Sequence, residues 1–368
     1  MKFLSKLIFL IIIGFTLPSF AFASVLSFIP QAQDAYEGEN LVAEVRLNTE
    51  GESVNALNMQ IVFPTDILGF VDFSSGGSVF PLPVHGPDYE EKTGTVSFQA
   101  GVPNGYRGEG VIGRIFFQAK TPGFAVLRFE ESTQVLLNDG AGTPAGLSFF
   151  TGEYTILKKP AGLPVLTSED HPDESVWYSN PFIRMSWEVK EGADYSYLLT
   201  RDPSEAPDDV PDEPVGDLKL TTQEDGIFYF RLRECRDGVC GPAVTRRALK
   251  DTAPPEFFEV LVGSDWTLYD GKRFLSFSAR DAASGIARYE VFEEHVGAWK
   301  VAQSPYLLEY QGSESVQVKA VDKAENERVV EIRAERALPV SRLLSFVLFL
   351  FLGLLAGGYL VWRKRKQV

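Results

Sequence analysis

The feature that most limits this chain is the run Leu343 to Trp362, twenty residues without a charge, closed by Arg363-Lys364-Arg365-Lys366. At about 1.5 Å per residue such a run crosses a hydrocarbon layer of about 30 Å. A single segment in lipid satisfies its own backbone only as a helix, so one C-terminal transmembrane helix is predicted over 343–362. The four cations place the tail 363–368 in the cytoplasm, with Tyr359 and Trp362 at interfacial depth. The other terminus agrees. Lys2 and Lys6 precede the apolar run Leu7 to Phe15, Pro18 breaks it, and Ala21-Phe22-Ala23 supplies the small residues a signal peptidase requires. Residues 1–23 therefore read as a signal peptide, and the expected location is the cell membrane, single-pass, with the N-terminal ectodomain outside.

Charge then narrows the partners. The whole chain carries −15; two lysines in residues 1–23 and five cations in residues 342–368 leave −22 on residues 24–341. Nucleic acid is excluded as a partner by the sign of that field. An acidic surface suits solubility, a cationic partner or loosely held calcium.

More than 300 ectodomain residues exceed one ordinary core. Residues 158–163, Lys-Lys-Pro-Ala-Gly-Leu, read as a linker, and Asp251-Thr252-Ala253-Pro254-Pro255 opens a further boundary, because proline denies a ladder its hydrogen bonds. The expected domains are 24–157, 164–250 and 251–335. Between these marks short runs alternate with turns and no helical period is sustained, so the ectodomain is expected to be all-β. In the first domain Leu41 to Leu47 alternates apolar and polar residues, as a strand with one wet face does. Similar runs follow at 56–63, 67–73, 95–100, 111–119, 125–129, 133–137 and 153–157. That number of short strands predicts a sandwich or jelly roll.

The segments LNTEGESVNALNMQIVFPTDILGFVDFSSGGSVF (47–80), GTVSFQAGVPNGYRGEGVIGRIFFQAK (94–120) and VLLNDGAGTP (135–144) resemble the cohesin domains of cellulosome scaffoldins and related bacterial surface proteins. The resemblance implies a nine-strand flattened jelly roll that binds a dockerin-like module through one sheet face. No stretch matches a dockerin-contact motif residue by residue. The irregular segment 76–89 is a candidate recognition loop, with Phe80, Leu82, His85 and Tyr89, joined by Tyr106; cover for the end of the core is the other account of its apolar residues.

The second domain, with Trp177, Trp187 and the run Gly226 to Arg233, resembles immunoglobulin-like or fibronectin type III-like sandwiches. Its acidic, proline-rich segment 202–214 lacks the ordered oxygens and glycine of a calcium loop and reads as a solvated excursion. Cys235 and Cys240 flank four residues at a hairpin tip, close enough to bridge; outside the cytoplasm a disulfide is the default, and two thiolates without histidine fall short of a zinc site. The third domain resembles the short bacterial immunoglobulin-like repeats through DTAPP (251–255), LSFSARDAASGIARYEVF (275–292), SPYLLEY (304–310) and VQVKAVDKAEN (316–326), except that Glu325 stands where that family has glycine. Asp281 and Asp322 each close an alternating strand, so they could share a cation; Asx-turn capping is the alternative. Both later domains are expected to form a stalk.

Catalytic patterns are missing. His85, His171 and His295 have no ligand spacing, and there is no nucleophile elbow or glycine-rich phosphate loop. No enzyme is expected and no cofactor, calcium being the one possible ion. The expectation is a non-catalytic surface binding or adhesion protein whose partner is an extracytoplasmic protein, a dockerin-like module for example, or a polysaccharide. A purely structural envelope component is the alternative. Exposed aromatics in a row on one sheet of the first domain would favour sugar; a flat polar and apolar face would favour protein. Leu338-Pro339-Val340-Ser341-Arg342 differs from the Leu-Pro-x-Thr-Gly sorting signal at its last two positions, so a retained anchor is expected.

Overall fold

The computed structural model describes residues 23–333 apart from 213, 214, 313 and 314. The expected signal segment 1–23, except Ala23, the span 343–362 and the tail 363–368 lie outside the described residues. Among those described there is no α-helix, and no helix is long and apolar enough to cross a membrane. The chain divides into two compact units. The first takes residues up to Phe257 with Ser278–Ala287 and Val321–Arg328; the second takes Phe258–Phe277, Arg288–Ala320 and the chain from Val329.

The first unit begins with a sandwich of twelve strands: β1 Ser24–Ile29, β2 Ala32–Tyr36, β3 Asn40–Asn48, β4 Val54–Val62, β5 Leu68–Ser74, β6 Leu82–Glu90, β7 Thr95–Tyr106, β8 Glu109–Ala119, β9 Gly123–Phe129, β10 Gln134–Leu137, β11 Leu147–Phe149 and β12 Gly152–Leu157. One sheet has the order β11-β1-β3-β8-β5; the other runs β2-β12-β9-β4-β7-β6, with β10 beside β4. Alternation builds the core between them. Leu41, Ala43, Val45 and Leu47 of β3 point inward with Ile112, Ile115 and Phe117 of β8, and meet Met59, Ile61, Val96 and Phe98 from the facing sheet. Ring pairs join the sheets, Phe28 stacked on Phe129 at 4.6 Å and Phe73 tilted against Phe98 at 5.0 Å.

A second sandwich follows in the same unit: β13 Trp177–Tyr178, β14 Phe182–Ser186, β15 Asp194–Thr200, β16 Asp217–Thr221, β17 Gly226–Arg236, β18 Val239–Cys240 and β19 Val244–Lys250. The sheet β13-β19-β17-β15, with β18 on β17, accompanies the pair β14-β16. Ile183, Met185, Trp187, Tyr195, Phe230 and Leu232 fill its core. The acidic segment 202–212 is mostly exposed, as a solvated excursion should be, and is tethered at points: Arg231 donates to the Glu205 carbonyl at 2.7 Å and Arg233 to Asp209 at 2.6 Å, while Asp212 accepts from Tyr197 N–H at 2.8 Å. Two outward cations on β17 thus anchor a segment whose side chains stay largely in water.

The two sandwiches of the first unit are not beads on a stalk. Val42 on β3 and Phe116 on β8 face away from the first core, yet are 4% and 1% exposed. They pack with Trp177, Leu249 and Ala324, flanked by Ile227 and Ala283.

The remaining strands are β20 Val260–Ser264, β21 Arg273–Phe277, β22 Ile286–Glu293, β23 Trp299–Ala302, β24 Tyr306–Leu307, β25 Ser315–Asp322 and β26 Glu327–Arg333. They form the sheets β20-β21-β24 and β23-β22-β25-β26. In the second unit Leu275, Phe277, Val291, Leu308, Val316 and Val318 are buried.

Candidate functional site

Of the first sandwich's two outward faces, one is closed within its unit. The face of β3, β8 and β5 carries Val42 and Phe116 in the apolar seam just described, with Glu44 and Arg114 paired at 2.9 Å beside it. Asp72 pairs with Lys323, and Ser74 Oγ donates to the Ser284 carbonyl at 2.8 Å. A cleft of about 200 Å³ on this seam is lined in part by Arg114, Arg201 and Asp225; its charges are already paired, Arg201 with Glu224 and Asp225 with Lys250.

The other outward face is open. Strand register sets its side chains in cross-strand rows: Gln134, Asn58, Gln99 and His85 in one; Gln60, Ser97 and Asp88 in the next; Arg128, Val62, Thr95 and Glu90 beyond. Inward alternation toward Leu57, Met59, Ile61, Val96 and Phe98 leaves these positions to polar residues. The surface is mostly uncharged. Gln99 Nε2 donates to Asn58 Oδ1 at 3.3 Å, Ser132 Oγ to Gln60 Oε1 at 2.8 Å, and His85 lies 2.9 Å from Asp88. A shallow depression of about 780 Å³ at one border includes Val62, Thr95 and Phe124. Among the described residues lining it Phe124, 56% exposed, is the one ring open to solvent, the other, Phe63, being buried.

The candidate recognition segment is divided by the fold. Phe80 is buried in the core. Tyr89 stacks on Phe70 at 4.4 Å and on Phe63 at 5.9 Å, and Leu82 and Tyr106 are half-buried, Tyr106 against the core. Phe80, Tyr89 and Tyr106 belong to or pack on the core, and His85 alone of the five is exposed. The stretch Leu82–Glu90 is an edge strand whose pairing with β7 is bulged at Val84, after Pro83, and again at Gly86-Pro87.

Asp281 and Asp322 do meet, and Asp251 joins them; one oxygen from each lies within 4.8 Å of the others, all three residues being buried. Each also holds backbone. Asp281 Oδ1 accepts from Ala283 and Gly285 N–H at 3.1 and 2.8 Å, Asp322 Oδ1 from Ala324 and Asn326 at 2.8 Å, and Asp251 Oδ2 from Ser284 N–H at 3.1 Å. Asx capping is thus present at both predicted positions. Burial pushes the Asp251 carboxyl up to about 6, with Asp281 adding repulsion, and burial raises Asp281 and Asp322 as well. Three clustered carboxylates have the hardness calcium needs but fall short of its six to eight oxygens; a shared proton relieves the same repulsion.

Cys235 and Cys240 are bridged, and the hairpin between them turns at Asp237 and Gly238, both with positive φ as a two-residue turn demands. His171 is buried, with neither ring nitrogen hydrogen-bonded; burial lowers it to about 4.

No family model matches this chain, and no curated protein matches it. Solved structures similar to part of it include a non-cellulosomal cohesin from the archaeon Archaeoglobus fulgidus, 17% identical, covering 37% of this chain and 91% of that one, with a TM-score of 0.30. A type I cohesin–dockerin complex from Clostridium thermocellum is 16% identical over 37% of this chain and 99% of that one, TM-score 0.30. A type II cohesin from Acetivibrio cellulolyticus is 13% identical over 36% and 94%, TM-score 0.29.

Proposed function

We propose that this is a non-catalytic surface protein, exported by residues 1–23 and tethered by residues 343–362, that presents the open sheet face of its first sandwich to a folded extracytoplasmic protein. One observation carries the reading: a single sandwich has one outward face sealed by apolar packing within its unit and the other left open and lined by Asn58, Gln60, Ser97 and Gln99. Neutral amides and hydroxyls on a rigid sheet suit a shape-complementary protein contact, and in an acidic ectodomain they form a surface that does not repel a partner of either sign. Polysaccharide recognition has weaker support, because sugar faces stack on rows of rings and Phe124 is the one solvent-open ring among the described residues of that depression.

The test is capture of surface and secreted proteins, a dockerin-like module among the first to try, by the full chain in nanodiscs. Loss of capture in Gln99→Arg, with retention in Val301→Arg on the second unit, supports the reading. Glycan binding that depends on Phe124 and no protein capture would replace it.

A further inference from the structure

We propose that the end of the second unit bearing Trp266, Leu268 and Tyr269 lies in the headgroup interface of the bilayer that residues 343–362 enter. The inference rests on the membrane tether proposed above.

The most exposed large apolar side chain among the described residues is Trp266, at 84%, and Leu268 and Tyr269 follow it at 47% and 36%. Together they form the tip of the loop between β20 and β21. The loop is built to hold them out. Asp265 Oδ1 accepts from Thr267 N–H at 2.7 Å and Thr267 Oγ1 at 2.6 Å, and Gly271 N–H donates back to the Asp265 carbonyl at 3.0 Å. Tyr269 and Asp270 both take left-handed backbone, φ 58 and 54, which L residues adopt at a cost. The Trp266 ring rests over Gly271, where a Cβ would come within 2.9 Å of it. Tyr269 Oη donates to the Pro305 carbonyl at 3.2 Å. A fixed loop that shows solvent an indole is poorly explained by water alone.

Topology supplies the occupant. Gln311 clasps Arg273, the residue that ends this loop, accepting from its N–H at 2.6 Å and donating to its carbonyl at 3.3 Å. Ser315, shortly after Gln311, donates to Glu331 at 3.0 Å, near the end of β26. The chain therefore leaves the second unit at the end where Trp266 stands. Nine residues, 334–342, then separate Arg333 from Leu343, a reach of about 30 Å at most when extended. Trp and Tyr are the side chains that favour the boundary between hydrocarbon and water, one end apolar and the other wet. Nearby charges are mixed, Lys272 and Arg273 with Asp265, Asp270 and Glu309. Apolar partition into a zwitterionic interface is therefore the attraction, not attraction to anionic lipid.

The experiment uses the full chain in phosphatidylcholine vesicles, with Trp266→Cys carrying an environment-sensitive fluorophore and Val84→Cys as reference; the native cysteines are already bridged. Blue-shifted emission at position 266, strongly quenched by lipid spin-labelled near the headgroup and unchanged at position 84, is expected. Emission typical of water at 266 in chains that still float with the vesicles overturns the inference and leaves the tether standing. Failure to float overturns the tether and this inference with it. Shielding at 266 that rises with protein density and escapes the lipid quencher assigns the loop to a second copy, which also overturns it.

Discussion

The Arg247 guanidinium lies 5.0 Å from the centre of the Phe116 ring, joining the second sandwich to the first by a buried cation over an aromatic face. It also donates to the Leu41 carbonyl at 3.2 Å and twice to the Glu174 carbonyl, at 2.9 and 2.7 Å, from a side chain with no exposure. Arg247→Met leaves these acceptors unpaired, so a loss of about 3 kcal/mol in unfolding free energy is expected by denaturant titration. Arg247→Lys should recover little, since one ammonium cannot span both carbonyls. Equal stability of Arg247→Met and the parent would show that the seam contributes nothing.

The seam also bears on dissection of the chain. A fragment of residues 24–157 keeps its own core but exposes Val42 and Phe116. It should fold yet self-associate on sedimentation, and Phe116→Ser should restore a monomer. A monomeric unmodified fragment would argue against the seam.

Raising pH should weaken the junction held by Asp251. Its folded-state value of about 6 stands above the ordinary 3.8, so the protonated form stabilises the fold fully below about pH 4 and that contribution is lost as pH rises through about 6. Asp251→Asn keeps an acceptor without the charge. The melting temperature of Asp251→Asn should therefore fall less than that of the parent between pH 5 and pH 8; parallel curves would refute this.

His171 works with the opposite sign. Its folded value near 4 is below the ordinary 6.5, so stability is complete above pH 6.5 and is lost as pH falls toward 4, by about 3 kcal/mol at most. His171→Phe, filling the same space beside Tyr178, should flatten that acid limb. Persistence of the full acid slope in His171→Phe would move its origin elsewhere.

Opening the bridge should matter little. Cys235 and Cys240 enclose only four residues on strands already paired, so replacing both with Ser is expected to cost about 2 kcal/mol or less by thermal unfolding. Collapse of the second sandwich would contradict the view of the pair as a clip on a hairpin.

Strand periodicity made much of the first sandwich legible, and β3, β4, β5, β8 and β9 fall within a few residues of the alternating runs. The strand β6 was hidden because Pro83, Gly86 and Pro87 are tolerated only at a bulged edge, which sequence presents as a loop. The outward rows of polar residues were readable from alternation; which face stays open was not. Val42 and Phe116 look like ordinary irregularities in a strand, and only contact with Trp177 and Leu249 gives them meaning. In the sequence Asp251 looks like punctuation before Pro254, and a separation of 71 residues hides its approach to Asp322. Glu325 was the informative departure: it takes φ 64, a conformation glycine holds at lower cost.

The central claim, that the open face of the first sandwich meets a protein partner, is tested most directly by a photo-crosslinking residue placed at Gln99 in the full chain on intact cells. The account predicts a discrete protein adduct at Gln99, absent when the same residue replaces Val301 on the second unit. No adduct at Gln99, or the same adduct at Val301, would contradict it.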